Sequence, residues 1–263
     1  MAAERMVSLA AGTVLDVDPA TAVDVAADAG FAAVGLWFDP ENWTQDTTRR
    51  VASRLKATGL TPLDIEPVIL GRGADAGDRM VAVAGELGVR FLLVASGPAP
   101  LGEVADRLAA LCDVAATSAP DLRVVLEFLP IFSVSSLQAA VKLIECLARP
   151  NAGVLVDTLH LARSGGHPDE LRDVPPSLLP YLQVADAPII APQSSAALRE
   201  EALHGRLLPG EGALPIRDMI SAVPDVPLSI ELRSRALNDR YPDPVERASA
   251  VLRSVQVLLS ADG

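Results

Sequence analysis

Residues 123–159, RVVLEFLPIFSVSSLQAAVKLIECLARPNAGVLVDTL, decide the fold. A short run rich in Val and Leu lies at each end of this stretch, and residues 134–148 between them repeat apolar side chains at helical spacing. A strand, a helix and a second strand in this order are typical of a βαβ unit. Such units belong to a parallel sheet that is covered by helices.

Six further apolar runs extend the alternation of strands and helices to both ends of the chain. They are residues 6–12, 32–38, 61–68, 90–96, 181–188 and 227–234. Eight strand–helix units in about 250 residues is the size of a (β/α)₈ barrel, and the chain has 263 residues. We therefore predict an α/β fold, a (β/α)₈ TIM barrel, with residues 1–263 forming a single domain. The Pro-rich residues 167–180 are expected to form only a turn or two of helix.

The alternative fold is a doubly wound open sheet. It is less well supported, because no G-x-G-x-x-G motif follows the first predicted strand. The chain contains no stretch whose composition would mark a linker between domains.

Composition limits the partners and the location of the protein. The formal net charge of −12 disfavours nucleic acid and anionic membranes as partners. The apolar stretch near the N-terminus is too short for a signal peptide, and no run reaches the ~20 apolar residues of a membrane span. Two cysteines without metal-ligand spacing fit a reducing, cytoplasmic environment. We expect a small-molecule substrate, a polyol or hydroxy-ketone, and leave open whether the chain forms homo-oligomers.

Four polar residues lie late in successive apolar runs of the second half of the chain: Glu127, Asp157, Gln183 and Glu231. In a TIM barrel the functional groups lie where the strands end, at the C-terminal face. Because side chains alternate along a strand, Glu127 shares a face with Val125, as the other acids do with the residues two before them. If these faces point into the barrel, four oxygen donors converge at its mouth.

Carboxylates that are packed together in an apolar barrel repel one another and lose their hydration, and a divalent cation relieves both penalties. Oxygen ligands favour one Mn²⁺ or Mg²⁺ ion, with Co²⁺ as a tolerated substitute. Zn²⁺ is less favoured, since no His or Cys joins this set in the sequence. The alternative is that each acid has a separate structural role, for instance Asp157 as a helix N-cap or a strand-end Glu in an ion pair.

Five short motifs carry a resemblance to a known family. They are LEF with Glu127, VDTLH with Asp157 and His160, LQVADAP with Gln183 and Asp186, RLLPGEG with Arg206, and SIELRS with Glu231. With these motifs the chain resembles, over nearly its whole length, the xylose-isomerase-like TIM-barrel superfamily of sugar isomerases and epimerases.

The resemblance implies roles for these residues. Glu127 and Glu231 would bind the metal and exchange protons with the substrate carbon, and Asp157 would be a third ligand. His160 would lie beside the substrate. Arg206 would reach toward the substrate or order its loop.

Two positions depart from the pattern of the family. Most of its sugar epimerases carry His where Gln183 stands; the amide oxygen of Gln can still bind a metal, and the related dehydroshikimate dehydratases look like this chain at that ligand. Trp37 stands near a position where many relatives have an acid. Trp37 would form an apolar wall for the substrate, or it would only pack.

Other mechanisms fit the sequence poorly. Both lysines, Lys56 and Lys142, lie on predicted helices, which disfavours a Schiff-base aldolase. Neither cysteine lies at a strand end. The remaining chemistry is metal-assisted removal of a proton next to a carbonyl, with Glu127 and Glu231 as base and acid and His160 as a further acid or hydrogen-bond donor.

Three residues complete the candidate substrate-binding set with Arg206. Trp37 would contact an apolar face, Glu66 at the end of the third strand would accept a hydrogen bond from a hydroxyl, and Arg233, on the same face as Glu231, would hold an anionic group.

We predict a metal-dependent sugar or sugar phosphate isomerase or epimerase, and favour a non-phosphorylated substrate because no Lys- or Arg-rich phosphate pocket is visible in the sequence. A metal-dependent dehydratase of the 3-dehydroshikimate dehydratase type and a sugar-binding barrel without turnover remain alternatives. A DNA-repair endonuclease with a trinuclear zinc site is disfavoured, because the chain has only three histidines and is acidic.

Overall fold

The structure, a computed structural model, describes residues 5–73 and 75–260. The remaining residues of the predicted domain lie outside this description. Eight strands form a closed barrel in which each strand is parallel to its neighbours and follows the order of the chain. The strands are β1 (Val7–Leu9), β2 (Ala33–Trp37), β3 (Thr61–Ile69), β4 (Phe91–Ala95), β5 (Arg123–Glu127), β6 (Ala152–Asp157), β7 (Leu182–Val184) and β8 (Leu228–Ile230).

Helices follow the strands and surround the barrel. They are α1 (Pro19–Ala29), α2 (Gln45–Thr58), α3 (Gly77–Leu87), α4 (Leu101–Ser118), α5 (Leu137–Leu147), α6 (Thr158–Arg163), α7 (Pro168–Arg172), α8 (Ser195–His204), α9 (Ile216–Ala222), α10 (Arg235–Arg240) and α11 (Pro244–Ser260). The predicted (β/α)₈ TIM barrel is confirmed, because β1 pairs with β8 and leaves no open edge. Among the described residues, no helix combines the length and the hydropathy that crossing a membrane requires.

Local signals in the sequence explain where these helices begin and end. Asp18 caps α1 by accepting a hydrogen bond from the Ala20 amide, and the helix stops at Gly30, whose φ of 91° lies in the left-handed region. Residues 167–180 form only α7 and one turn of 3₁₀ helix, as their prolines predict.

The barrel interior is filled from the bottom by apolar side chains. Seven buried residues form a cluster of their own there: Ala33, Leu63, Phe91, Leu93, Val125, Leu155 and Tyr181. The rings of Phe91 and Tyr181 stack with centroids 4.7 Å apart. A separate and larger apolar core lies between the barrel and the helices. The interior cluster closes the barrel below, so polar side chains that point inward are accessible only from the C-terminal mouth.

The long connection after β7 folds back across this mouth. Asp186 forms an antiparallel bridge with Leu207, and Gly205 forms another with Ser234. The connection contains the three-turn helix α8 and is held at both sides of Arg206, because its backbone pairs with the residues that follow β7 and β8.

Candidate functional site

The structure brings the four predicted metal ligands to the barrel mouth. Glu127 and Asp157 are the last residues of β5 and β6, Gln183 lies in β7, and Glu231 directly follows β8. Their exposed fractions are 8%, 0%, 0% and 6%. Val125, two residues before Glu127, belongs to the interior cluster, so the predicted inward face of this strand is correct.

Asp157 has two structural partners at once. Its Oδ1 accepts hydrogen bonds from the Leu159 and His160 amides at the start of α6, at 2.7 and 3.1 Å. Its Oδ2 accepts a 2.5 Å hydrogen bond from Arg206. Burial favours a higher pKa for Asp157, but the charge of Arg206 and these hydrogen bonds outweigh it and lower the pKa below its usual value. The N-cap interpretation of this acid is therefore correct without excluding a second role.

Arg206 lies between two of the candidate ligands. Its NH1 contacts Asp157, and its NH2 lies 3.0 Å from Glu231 Oε2. Its Nε donates to the Ala202 carbonyl at 2.9 Å, which fixes the guanidinium plane. Because Arg206 is only 3% exposed, these ion pairs form away from water. Arg206 thus forms ion pairs with two carboxylates, those of Asp157 and Glu231.

His160 lies beside Glu127 because α6 starts immediately after β6, so its first turn lies over the end of the strand. His160 Nε2 is 3.9 Å from Glu127 Oε1. Burial lowers the pKa of His160 to about 4, so its imidazole is neutral at neutral pH. Burial raises the pKa of Glu127 well above its usual value, and the charges of Asp157 and Glu231 add to this effect.

These residues include a group that could hold a metal ion. Glu127, Asp157 and His160 each offer one ligand atom, and these atoms all lie within 4.8 Å of one another. The expectation that no histidine joins the carboxylates is wrong, since His160 brings a neutral nitrogen to them; the reason for disfavouring Zn²⁺ is thereby removed.

The remaining donors also fit a divalent cation. Neither amide atom of the buried Gln183 has a hydrogen-bond partner among the described residues. An orphaned buried amide costs free energy, and binding a metal through its oxygen would recover part of that cost. Glu127, Asp157 and Glu231 outnumber the two arginines whose charges act on them, Arg206 and Arg233, so the site has an excess of acidic groups.

Glu66 lies at the pocket floor but not where the sequence analysis placed it. It is not the end of the third strand, because β3 continues to Ile69. The pairing of β3 with β4 shifts register between Ile65 and Val68, which lets the strand continue past a proline. Glu66 is 3% exposed, and its pKa is raised well above the usual value by burial and by neighbouring acids.

Sequence reasoning missed Asp64, a fully buried acid on the same strand. Its Oδ2 accepts a weak 3.5 Å hydrogen bond from Ser229, while its Oδ1 has no partner among the described residues. Gly35 makes room for it, because a Cβ there would lie 2.4 Å from Asp64 Oδ1. Burial, with a contribution from Glu231, raises the pKa of Asp64 to about 7. Asp64 alternates with apolar residues in TPLDIEPV, and this pattern alone does not show which of the two sets faces the barrel interior.

We name the cavity above these groups the central pocket. It encloses about 700 Å³ when its opening to solvent is included. Glu66, Glu127, His160, Arg206 and Glu231 line its buried part; Trp37, Arg72, Phe132, Arg199 and Arg233 also line it. All predicted substrate-binding residues thus line one cavity, whereas Arg72 and Arg199 were not predicted because both lie outside the strand ends.

A second cavity, the side pocket, adjoins the central pocket. It lies between residues 11–22 and residues 37–50 and encloses about 1090 Å³ with its opening. Trp37 lines both cavities. The guanidinium carbon of Arg233 lies 5.6 Å from the ring centroid of Trp37, which is a cation–π distance.

Comparison with known proteins places this geometry in context. Residues 23–255 match the family described as xylose isomerase-like TIM barrel. The chain is 30% identical over 258 residues to a 3-dehydroshikimate dehydratase of Pseudomonas aeruginosa, a match that covers 90% of this chain and 39% of that protein. The chain thus spans well under half the length of this curated relative.

Solved structures show the same fold. A xylose isomerase-like TIM barrel/4-hydroxyphenylpyruvate dioxygenase fusion protein superposes with a TM-score of 0.83 at 23% identity, covering 97% of this chain and 43% of the fusion. The IOLI protein, solved with a bound zinc atom, superposes with a TM-score of 0.80 at 16% identity over 97% of this chain and 98% of its own.

Proposed function

The chain belongs to the xylose isomerase-like TIM-barrel family, and from this premise we propose that it is a metal-dependent enzyme that moves a proton next to a carbonyl. The observation that carries the proposal is that buried Glu127 and Glu231 line one pocket with the neutral His160, while buried Asp157 offers a further oxygen within 4.8 Å of the ligand atoms of Glu127 and His160. Several acids that are shielded from water, with altered proton affinities, are characteristic of proton-transfer sites.

In this proposal Glu127, Asp157, Gln183 and Glu231 hold one divalent ion, with His160 as a further donor. The ion would supply Lewis acidity, which stabilises negative charge that develops on a substrate oxygen. Mn²⁺ and Mg²⁺ suit the oxygen donors, and the imidazole of His160 makes Zn²⁺ and Co²⁺ suitable as well.

Glu127 and Glu231 serve as base and acid on the two sides of the substrate. Burial raises the pKa of both side chains, although Arg206 and Arg233 lower that of Glu231. A carboxylate whose pKa lies closer to neutrality is a stronger base and, once protonated, a competent acid. His160 is uncharged at neutral pH, so one ring nitrogen can bind the ion while the other, which carries the proton, donates a hydrogen bond to a substrate oxygen.

Dehydration of a cyclic hydroxy-ketone is the reaction we favour. It is supported by Gln183 in place of the histidine of sugar epimerases and by the similarity to a 3-dehydroshikimate dehydratase. A carboxylate takes the proton next to the carbonyl, the C–H electron pair forms a C=C bond, and the β-hydroxyl leaves with a proton as water. From 3-dehydroshikimate the product then tautomerises to an aromatic dihydroxybenzoate.

Sugar isomerisation or epimerisation is the second candidate, because it needs the same base, acid and metal and because the family is named for it. Here the proton returns to the neighbouring carbon or to the opposite face, and no water is lost.

The test supplies 3-dehydroshikimate to the protein loaded with Mn²⁺, Mg²⁺, Co²⁺ or Zn²⁺ and follows the absorbance of an aromatic product. Glu127→Gln and Glu231→Gln should each lower kcat by about 10²–10⁴-fold. Glu200→Gln, which removes an exposed acid paired with Arg235, is the control and should keep full activity. Product formation that persists in both active-site variants would contradict the proposed roles.

Conversion of a ketose without dehydration would favour the second candidate, and ligand binding without any turnover would point to a sugar-binding barrel. Metal binding is tested separately by elemental analysis and by Mn²⁺ titration. Asp157→Asn should lower the affinity for the metal ion by about 10–100-fold, since one charged ligand becomes neutral. Asp113→Asn, at an exposed ion pair with Arg149, is the matched control.

A further inference from the structure

Besides Arg206, three arginines line the central pocket: Arg72, Arg199 and Arg233. The side chains of Arg72, Arg199 and Arg233 form no hydrogen bond or ion pair with any residue in the described part of the chain. They come from three separate segments: the turn after β3, helix α8 and the residues that follow β8. By contrast, Arg206 in the same pocket has both a carboxylate and a carbonyl partner.

Stacking holds two of these guanidinium groups while leaving their donors free. Arg233 lies 5.6 Å from the ring centroid of Trp37, and Arg72 lies 5.7 Å from that of Phe132. A cation–π contact uses the face of the guanidinium group, whereas its N–H bonds point outward in the plane. The donors therefore remain available for planar, paired hydrogen bonds to an oxyanion.

The concentration of unpaired cations at one opening is unexpected in a chain with 34 acidic and 22 basic residues. Like charges that converge repel one another; Glu66 and Glu231 offset this repulsion in part for Arg233, and an anionic ligand would relieve the remainder. Arg72 and Arg199 are exposed and Arg233 is half-buried, whereas Glu127 and Asp157 are buried. Positive charge thus lies at the outer part of the pocket and negative charge at its floor.

We propose that the substrate carries an oxyanion group, a carboxylate or a phosphate, which Arg72, Arg199 and Arg233 bind at the outer end of the central pocket. The carbonyl and hydroxyl groups that react would then lie at the floor, beside Glu127 and Glu231. This inference rests on the proposed function in so far as it takes the central pocket to be the substrate site.

Calorimetric titration of the metal-loaded protein with matched probes tests the proposal. One pair is 3,4-dihydroxybenzoate and its uncharged isostere 3,4-dihydroxybenzamide; the other is fructose 6-phosphate and fructose. We expect one of the anions to bind at least about 10-fold more tightly than its neutral counterpart, as charge-assisted hydrogen bonds allow. Which anion shows the preference identifies a carboxylate or a phosphate as the natural group.

Each of three single substitutions should weaken binding of the preferred anion by about 5–50-fold and leave binding of the neutral probe unchanged. They are Arg72→Gln, Arg199→Gln and Arg233→Gln. Arg253→Gln is the control, because Arg253 is exposed on α11 and lines neither the central pocket nor the side pocket. Thermal melting of each variant verifies that it is folded. Equal binding of charged and neutral probes, or anion binding that all three substitutions leave unchanged, would overturn the proposal.

The two proposals fail in different ways. If dehydroshikimate is turned over but its KM is unaffected by the three arginine substitutions, the oxyanion site is wrong and the proposed function stands. If no substrate reacts but the anion preference depends on these arginines, the site stands and the proposed reaction is wrong.

Discussion

Arg206 is the residue on which the electrostatics of the pocket depend. It is buried and pairs with Asp157 and Glu231, and its charge also acts on Glu127. Burial alone lowers the pKa of an arginine, yet its acidic neighbours raise the pKa of Arg206 above the usual value. Removing such a cation leaves carboxylates that are both desolvated and uncompensated.

We therefore expect Arg206→Gln to lower the free energy of unfolding by about 3–5 kcal/mol in the presence of EDTA. Added Mn²⁺ should restore part of the loss, because a divalent ion would neutralise the same acids. Thermal melting with and without Mn²⁺ measures both effects. Arg163→Gln is the matched control: it breaks a buried ion pair with Glu201, and Mn²⁺ should not rescue it. Equal rescue of both variants would contradict the explanation.

At this scale the sequence predicted a good part of the site. The positions of Glu127, Asp157, Gln183 and Glu231 at the barrel mouth were anticipated because strand ends and side-chain alternation are local properties, whereas their role as metal ligands stays a prediction. Asp64 was missed because the register shift within β3 cannot be read from the apolar pattern. The contact of Arg206 with Asp157 depends on residues 49 positions apart, so only the folded connection reveals it.

Among the elements, the connection between β7 and β8 does most to shape the mouth. Asp186 organises its second half: its carboxylate accepts hydrogen bonds from the amides of Gly210, Gly212 and Leu214 at 3.0, 3.0 and 3.1 Å. The approach is close at Gly212, where a Cβ would lie 2.3 Å from Asp186 Oδ1. The Asp186 carboxylate thus accepts hydrogen bonds from backbone amides of this segment in place of backbone carbonyls.

Asp186→Ala should destabilise the protein by about 2–4 kcal/mol, because several amides lose a charged acceptor at once. It should also expose residues 205–214 to protease, which limited proteolysis followed by mass spectrometry would detect. Asp39→Ala removes a comparable acceptor from an exposed turn and should cost less than about 1 kcal/mol. Cleavage that is equally slow in wild type and Asp186→Ala would count against this role.

The sequence predicted the strands better than this connection. Apolar runs bounded by turns are strong signals for buried parallel strands, so all eight were located. Helix α8 was not predicted, since SAALREEALH has only one buried residue and lacks an apolar stripe. Its position is fixed by the bridges at residues 186–207 and 205–234, which no local pattern encodes.

For the whole molecule, the barrel combines an apolar base with a polar upper interior. The buried acids of the interior, Asp64 and Glu66 among them, have raised pKa values because water cannot reach them. The folded protein therefore holds protons that the unfolded chain releases at lower pH. Stability linked to such a group is greatest at low pH and is lost as the pH rises toward the folded-state pKa.

For Asp64 this window extends from its usual pKa of 3.8 to about 7. We expect the metal-free protein to lose about 2–4 kcal/mol of stability through this group between pH 5 and 8. The stability of Asp64→Asn, which stays neutral, should exceed that of wild type by a larger margin at pH 8 than at pH 5. Urea unfolding at both values measures the difference. A difference that does not change with pH would show that Asp64 is ionised throughout.

The indole of Trp37 separates the central pocket from the side pocket. Trp37 lines both the central pocket and the side pocket, and its side chain therefore stands where the two cavities adjoin. Trp37→Ala should merge the central pocket and the side pocket into one longer cavity. Competitive inhibitors that are extended by a sugar or phenyl unit should then gain affinity, while compact inhibitors should lose it. In that case a single substitution would change the size of ligand that this mouth accepts while the acids at its floor stay in place.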